Sequence, residues 1–514
     1  MIVEGFRATE PLSLRTHTVV VGSGAGGAVV AALLAEAGVD VIVLEEGGRF
    51  TAADFTQRDD EMLPALYREH GLQATRDGLV TVLQGSCFGG STVINMADCE
   101  PTPPEVYAHW KRLVGEIGLD EKTLAGSQAR VMAALEVNPI RDEQVNANNA
   151  AVVRGAAALG LSHGHFLNNR VACRGSGYCL IGCAYDAKKG AHLNYLPRAD
   201  AAGAVLYTDA RAERLERDGD RIVGVVGSLV TRGSREARFP FRIEAERVVV
   251  AGGAVHSPAL LAVSGLSRGL PDLGRNVTLQ PQLPVTAVFR EPGSIRAWRG
   301  IPQASYCSAG DRNSAERGLG GFRLEAVSGG LSQVAVGVPG FGVAHKEAMA
   351  RLDRTASALL LVPDAPSGTM TWSERAGRGV AARIDYRMRP EWLARLRRGM
   401  RQAAEIYFAA GAESVGFASE SFPRFAGPRD LDRIDAFEVR TGATRFLSAH
   451  VQGTCRMSAD PRLGVVDPTH RVHGLRNLYV VDASVFPTSA STHTMIPIMT
   501  VADRAAHAML ETRR

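Results

Sequence analysis

The stretch THTVVVGSGAGGAVVAALLAEAGVDVIVLEEGG, residues 16–48, decides how the chain folds. An apolar, β-branched run ends at Gly22 and is followed by a glycine-rich turn. An alanine- and leucine-rich segment then leads to a second apolar run that stops at Glu45. This order predicts a strand, a tight turn, a helix and a second strand, which is the context that a dinucleotide-binding fingerprint requires. The sequence therefore predicts an α/β unit that binds a dinucleotide.

The glycines of this stretch have distinct expected roles. Gly22 permits the tight turn, Gly24 lets the backbone approach a pyrophosphate, and Gly27 allows the helix to pack closely on the strand. The helix N-terminus would face the phosphate charge, and Glu45 would accept hydrogen bonds from a ribose diol. Glycine-rich turns are common, so a purely structural turn is the alternative. The stretch alone does not separate FAD from NAD.

The composition argues against several classes of function. The 514 residues carry a formal net charge of +4 and 45% hydrophobic side chains, which is typical of a globular protein and too weakly basic to indicate a nucleic-acid partner. No apolar stretch reaches the roughly 18 residues that a membrane-spanning helix needs. The seven cysteines do not suggest a disulfide scaffold, and the N-terminal residues do not suggest a signal peptide. We therefore expect a cytoplasmic protein.

A second glycine-rich segment, LVTVLQGSCFGGSTVINMADCEP, covers residues 79–101. Gly89 and Gly90 would expose backbone N–H groups, with the Ser91 hydroxyl and the Asn95 amide nearby. These groups could wrap a second side of the same pyrophosphate or face a flavin. A tight loop between two elements is an equally good interpretation of this segment by itself.

From about residue 283 to residue 439 the character of the chain changes, because short strand-like runs alternate with glycine and proline turns. We expect strands at Leu283–Phe289, Gln333–Val338, Ala358–Val362 and Val380–Tyr386, and one clear helix at Pro390–Ala410. This pattern predicts a sheet with helical backing, in a separate domain inserted into the first.

The C-terminal residues hold the candidate catalytic groups. The run NLYVVDAS predicts a strand that ends in Asp482, at the edge of an α/β sheet where cofactors lie. His493 lies just before a predicted final helix, and His450 lies 43 positions upstream. Two imidazoles near one ligand would supply a base and a hydrogen-bonding partner. Metal binding together with His470 and His473 is the alternative, but the spacing fits no zinc pattern.

These motifs, in this order, resemble the glucose-methanol-choline (GMC) oxidoreductases, a family of FAD enzymes. The resemblance rests on Gly22 to Glu45, Gly89-Gly90-Ser91 with Asn95, Gly252 to Gly265 around Ser257-Pro258, His450 with Gly453-Thr454-Cys455, and Asp482 with the block from Pro487 to His493. It implies a Rossmann-like α/β FAD-binding domain built from residues 1–282 and 440–514, with a cysteine-rich loop at about 170–195. It also implies an inserted α+β substrate-binding domain at 283–439, with a sheet backed by helices.

The resemblance further implies that several separate segments bind FAD noncovalently. The implied FAD-binding residues are Gly22, Gly24, Gly27, Glu45, Gly90, Ser91, Asn95, Asp482, Ala483, Thr494 and Met495. Some members of the family attach FAD covalently to a histidine two positions after the residue that is Thr92 here. Ile94 occupies that position in this chain, which is why a noncovalent cofactor is expected.

The same resemblance places the catalytic pair at His450 and His493. In the family, one imidazole takes the proton of an alcohol while hydride passes from the carbinol carbon to flavin N5. We expect His450 to be the base and His493 to orient the substrate oxygen. The reverse assignment is the alternative, because paired imidazoles titrate together.

Cys173, Cys179 and Cys183 form a C-x5-C-x3-C pattern in the cysteine-rich loop. This spacing is similar to the loop that binds a three-iron cluster in catalytic subunits of some bacterial flavoprotein dehydrogenase complexes, and thiolates suit iron–sulfur ligation. Related long-chain and aromatic alcohol oxidases also have cysteine- and glycine-rich loops at this place. Structural thiols are the favoured interpretation, so we predict no metal site.

The implied activity is the FAD-dependent oxidation of a primary or secondary alcohol to a carbonyl compound, with an apolar or aromatic alcohol favoured. The electron acceptor would be O2 or an electron carrier. One alternative is a non-redox enzyme similar to the hydroxynitrile lyases of the family. Another is the catalytic subunit of an electron-transferring dehydrogenase complex with an iron–sulfur cluster.

Overall fold

The computed structural model describes residues 1–311, 313–314, 319–375, 377, 379–422 and 424–511. Its strands are β1 Ile2–Glu4, β2 Leu12–Val21, β3 Val41–Leu44, β4 Val80–Val82, β5 Asn138–Pro139, β6 His163–His165, β7 Leu167–Asn168, β8 Val205–Thr208, β9 Ala210–Asp218, β10 Arg221–Val230, β11 Ala237–Val250, β12 Gln282–Val288, β13 Ser305–Cys307, β14 Arg323–Ala326, β15 Thr355–Leu361, β16 Thr369–Arg375, β17 Gly379–Asp385, β18 Ser414–Phe417, β19 Phe446–Ser448 and β20 Leu478–Val480. Its helices are α1 Ala25–Glu36, α2 Asp59–Leu66, α3 Pro104–Val114, α4 Glu121–Ala134, α5 Ala147–Ala158, α6 Tyr195–Ala201, α7 Gly253–Val263, α8 Leu331–Gly337, α9 Gly342–Ala350, α10 Pro390–Ala409 and α11 Met495–Glu511.

The first sheet contains the predicted dinucleotide-binding unit. Its strand order is β1-β8-β3-β2-β11-β10-β9, with β20 paired to β11. β2 is parallel to both β3 and β11, and β20 is parallel to β11, so strands from distant parts of the chain meet at the centre of the sheet. All four residues of β3 are buried, as expected of a parallel strand covered on both faces. This topology confirms the predicted Rossmann-like α/β fold.

Helix α1 follows β2 as predicted and is buried along most of its length. Gly22 has φ +102°, a conformation that favours glycine, and this lets the chain turn tightly from β2 into α1. A Cβ atom at Gly27 would lie 1.9 Å from the Gly22 carbonyl oxygen, and one at Gly26 would lie 1.9 Å from the Val481 carbonyl oxygen. Glycine at these positions therefore allows α1 to lie directly against the sheet.

The second sheet is formed largely by the predicted insert. Its strand order is β4-β19-β12-β15-β14-β13-β6, with β18 paired to β12. All of these pairs are antiparallel except β4 with β19. Helix α10 covers this sheet and buries Trp392, Leu396 and Met400, which confirms the predicted sheet with helical backing. None of the helices in the described part of the chain is long and apolar enough to cross a bilayer.

The predicted domain boundaries remain a prediction. β4, β6 and β19 belong to the second sheet although they lie outside residues 283–439. Part of that predicted domain also falls outside the described residues. The second sheet thus includes three short strands from outside the predicted insert.

One predicted strand is wrong. The run Gln333–Val338 has strand-like residues, but α8 covers Leu331–Gly337 and α9 follows it closely. β14, the strand just before this segment, is already paired on both sides, by β13 and β15. β14 therefore offers no free edge to the segment, whose backbone groups form local helical hydrogen bonds instead.

Candidate active site

A large cleft opens where the parallel strands of the first sheet end. It encloses about 1450 Å³, counting space that is open to solvent. The predicted FAD-binding residues that line it are Gly22, Gly24, Glu45, Gly90, Ser91, Asp482, Ala483 and Thr494. The other three lie behind the lining, since Gly27 packs against Gly22 and Asn95 lies beside Met495, with Asn95 Nδ2 3.0 Å from Met495 Sδ.

The two glycine-rich segments meet at Gly24 and Gly90. Gly90 has φ +55°, and a Cβ atom on it would lie 2.8 Å from the Gly24 Cα. Gly24 is also the N-cap of α1 and provides no side-chain cap. The N–H groups of the first turn of α1 therefore have no capping side chain, which suits a phosphate group. This cradle of bare backbone fits the pyrophosphate of FAD.

Glu45 is buried in the wall of the cleft, at the end of β3. Its carboxylate accepts hydrogen bonds from the Ser23 hydroxyl at 2.6 Å and from the backbone N–H groups of Ser23 at 3.1 Å and Gly47 at 2.8 Å. Burial raises the pKa of Glu45, and these hydrogen bonds lower it in part. The Ser23 hydroxyl in turn accepts from the Gly89 N–H at 3.0 Å. The acid is thus fixed in place by both glycine-rich segments.

Asp482 holds a second wall of the cleft together. Its carboxylate accepts hydrogen bonds from the Ser257 hydroxyl at 2.5 Å, the Gly253 N–H at 2.9 Å and the Ser484 N–H at 2.8 Å. Burial raises the pKa of Asp482, and the hydrogen bonds from Ser257 and Ser484 act in the opposite direction. Asp482 therefore joins the start of α7 to the C-terminal segment, at the strand end where the sequence predicts a cofactor contact.

The two predicted catalytic histidines lie together beside this cleft. Ala449 and Val451, on either side of His450, line the cleft, and so does Thr494, which follows His493. The imidazole rings meet edge to face with their centroids 5.5 Å apart. Two histidines 43 positions apart in the sequence are therefore brought into one constellation.

Three carboxylates surround His493, and no sequence motif pointed to any of them. Glu325 Oε2 lies 3.1 Å from His493 Nε2, Glu100 Oε2 lies 3.7 Å from Nδ1, and Asp98 Oδ2 lies 4.0 Å from Nε2. Glu325 belongs to β14 and is fully buried, whereas the other two lie at the end of the second glycine-rich segment. The one hint in the local sequence was Glu325 itself, which is an acid among the largely apolar residues at the end of β14.

These surroundings give the two histidines different charges. Burial lowers the pKa of His450, and the charge of His493 lowers it further, to about 3. Burial alone would also lower the pKa of His493, but Glu325, Glu100 and Asp98 outweigh it and raise this pKa well above its usual value. His450 is therefore a neutral imidazole at neutral pH, and His493 is an imidazolium. Among the described residues, His450 Nδ1 has no hydrogen-bond partner.

Two further groups adjust the charge around His493. Burial raises the pKa of Asp98 to about 7, so its charge changes near neutral pH. Glu100 forms an ion pair with Arg323 at 2.6 Å. Burial would raise the pKa of Glu100, but the charges of Arg323 and His493 outweigh it and lower this pKa. Glu100 therefore stays negative beside the imidazolium.

The three cysteines of the predicted loop line a separate, small pocket. Cys173, Cys179 and Cys183 share it with Arg170 and Lys188, and all three are free thiols. Among the described residues, no group of three or more His, Cys, Asp and Glu side chains is placed to hold a metal ion. The geometry of the loop therefore gives no support to the iron–sulfur alternative.

Comparison with protein families agrees with the fold. Two family models described as GMC oxidoreductase match residues 63–282 and 363–502. A third, described as an NAD(P)-binding Rossmann-like domain, matches residues 20–78, which include the glycine-rich turn and Glu45.

The sequences of similar proteins align with nearly the whole chain. An uncharacterized GMC-type oxidoreductase of Mycobacterium tuberculosis is 33% identical over 96% of this chain and 76% of its own length. The long-chain-alcohol oxidase FAO4B of Arabidopsis thaliana is 31% identical over 95% of this chain, which spans 66% of that protein.

Solved structures share the fold. Pyridoxine 4-oxidase from Mesorbium loti, 20% identical, superposes with a TM-score of 0.72 and covers 96% of this chain and 99% of its own. Formate oxidase, 15% identical, superposes with a TM-score of 0.70 and covers 98% of this chain and 99% of its own. At these identities the superpositions concern the fold alone. The family models and the relatives establish that the chain belongs to the GMC oxidoreductase family and is an oxidoreductase that acts on CH–OH groups.

Proposed function

We propose that this oxidoreductase converts a long-chain, apolar alcohol to a carbonyl compound, with FAD as its cofactor and His450 as its base. The observation that carries the proposal is the pair of histidines, one neutral and one positively charged, beside a cleft whose bare glycines and fixed carboxylates fit FAD. The long-chain-alcohol oxidases among the relatives support the choice of substrate.

The charges of the two histidines suggest a division of labour. His450 takes the hydroxyl proton, because it is the neutral imidazole of the pair. His493, kept positive by the carboxylates around it, stabilises the negative charge that develops on the substrate oxygen. Glu325 is a positioning residue that holds the charge and the orientation of His493. When bound, FAD supplies the hydride acceptor.

Different residues of the cleft would contact different parts of FAD. Gly24 and Gly90 would face the pyrophosphate, and Glu45 would reach the ribose of the adenosine. Asp482 and Ala483 would lie along the ribityl chain, and the backbone near Thr494 would face the flavin ring. Ser91, Asn95 and Met495 would complete the flavin side.

The experiment that tests the base is His450→Asn. We expect flavin reduction by alcohol to slow by about 10²- to 10⁴-fold, because general-base catalysis is lost, while the bound FAD per protein stays the same. Anaerobic stopped-flow absorbance gives the rate, and the flavin spectrum gives the occupancy. The exposed His163→Asn is the matched control. Reduction of His450→Asn at the wild-type rate would remove His450 from the mechanism.

Three broader features belong to the same proposal. Residues 283–439 form the substrate-binding domain, since Glu325 reaches His493 from this region. The protein acts in the cytoplasm, where its seven free thiols would stay reduced. The electron acceptor is O2 or an electron carrier, and oxygen consumption during turnover distinguishes the two.

A further inference from the structure

An apolar segment that follows β14 lies on the surface, and little of the described chain covers it. We call residues 331–350, which comprise α8, α9 and their connection, the apolar flap. Its large side chains are strongly exposed: Leu331 by 59%, Val336 by 70%, Phe341 by 89% and Val343 by 73%. Single exposed apolar residues are ordinary, but four within thirteen positions mark this segment as a candidate contact surface.

The flap adds nothing to the hydrophobic core. Neither α8 nor α9 contains a buried residue, and no residue of the flap belongs to a core cluster of the described chain. Two polar contacts attach it: Asp59 accepts from the Ser332 N–H at 2.9 Å, and Arg445 donates to the Val336 carbonyl oxygen. Helices this short gain most of their stability from packing, so the exposed faces of the flap are suited to a further contact.

The charges of the flap fit the boundary of a lipid bilayer. No charged residue occurs from Ala326 to Ala344, so the exposed tip is uncharged. Lys346 follows within one turn of Val343 and is exposed, while Arg351, at the end of α9, lies 4.0 Å from Glu347 and pairs with it. An uncharged apolar tip with a lysine beside it suits a lipid interface, where the ammonium group meets phosphate groups and the apolar side chains enter the acyl region.

The flap is also close in sequence to the proposed catalytic centre. β14 carries Glu325, whose carboxylate lies 3.1 Å from His493, and α8 begins five residues after β14 ends. A surface that holds this flap would therefore lie close along the chain to the strand that carries Glu325.

We propose that the apolar flap docks the enzyme on a lipid bilayer, from which it draws its substrate. The inference rests on the proposed function, because a long-chain alcohol partitions into lipid and is scarce in water. Phe341 and Val343 enter the acyl region, and Lys346 contacts the headgroup phosphates. The bilayer thus serves as the reservoir of the substrate.

The test compares vesicle binding by the FAD-loaded wild type with that of the double variant Phe341→Ser/Val343→Ser. Flotation with phosphatidylcholine vesicles, with and without phosphatidylglycerol, measures the bound fraction. We expect at least about tenfold weaker binding by the double variant, since two apolar side chains no longer enter the bilayer. Leu463→Ser, at an exposed leucine outside the flap, is the matched control and should bind as the wild type does.

Activity measurements separate this proposal from the proposed function. The double variant should oxidise a short, water-soluble alcohol as the wild type does, yet lose activity on a long-chain alcohol carried in vesicles. Equal vesicle binding by the wild type and the double variant would overturn the docking proposal. A wild-type dimer in solution that the double variant dissociates would also overturn it, in favour of a second copy on the flap. Flap-dependent binding without oxidation of any alcohol would overturn the proposed function and the role of the bilayer as a substrate reservoir, and would leave the docking itself in place.

Discussion

At the scale of single residues, the two histidines of the site owe their difference to their neighbours. His450 is buried with His493 beside it, so a proton on its ring would face both desolvation and a positive charge. His493 lies among acids whose negative charges offset the cost of burying its positive charge. The same side chain is thereby held in two states: His450 is unprotonated and available as a base, and His493 is charged and able to stabilise negative charge.

Glu325→Gln tests this assignment through the pH profile. The carboxylate raises the pKa of His493, so its removal should lower that pKa and move the alkaline fall of the flavin-reduction rate to lower pH. His450 stays neutral down to about pH 3, so it does not set the profile near neutrality. As pH rises through about 7, Asp98 loses its proton and adds negative charge beside His493, which retains the imidazolium.

The measurement is the rate of anaerobic flavin reduction across pH for the wild type, Glu325→Gln and the exposed Glu405→Gln as a control. A purely structural effect of Glu325→Gln would slow reduction by the same factor at every pH, and that result would contradict the role proposed for Glu325. The control should reproduce the wild-type profile.

At the scale of elements, the glycine-rich segments are interlocked rather than merely flexible. Gly90→Ala would strain a left-handed residue and press a Cβ atom to 2.8 Å from the Gly24 Cα. We expect the two segments to separate and FAD occupancy to fall. Gly38→Ala is the matched control, because Gly38 has φ +74° but no atom within 4 Å of its Cβ position. It should carry similar backbone strain and keep its flavin, as measured by absorbance per protein.

A Gly90→Ala protein with full FAD occupancy would show that the contact between the two segments does not shape the cofactor cradle.

Sequence patterns predicted some helices and strands correctly and one strand wrongly. Apolar runs that end in glycine, such as Val19 to Gly22, predicted the central strands and α1 well, because those residues must be buried on both faces. The run Gln333–Val338 was wrongly predicted to be a strand, because strand-like residues become a strand only where a partner edge is available.

At the scale of the whole molecule, the fold could be predicted because its motifs occur in a fixed order along the chain. The histidine pair could be located for the same reason. The carboxylates around His493 could not be predicted. Asp98, Glu100 and Glu325 come from segments that meet only when the folded chain places β14 next to the segment before α11. No spacing in a single sequence encodes such a meeting.

The whole protein should release its flavin on denaturation. Ile94 stands where some family members have the histidine that binds FAD covalently, and its side chain is buried and apolar. We expect acid precipitation to leave all the flavin in the supernatant as free FAD, which chromatography identifies. Flavin that stays with the precipitated protein would contradict a noncovalent cofactor.

An anaerobic titration of the FAD-loaded protein with a long-chain primary alcohol shows directly whether the enzyme oxidises an alcohol with its flavin. The visible absorbance of oxidised flavin should bleach, and aldehyde should form in an amount equal to the flavin reduced. A flavin that stays oxidised with every alcohol tried, while the protein cleaves a cyanohydrin, would rule out alcohol oxidation and indicate a lyase instead.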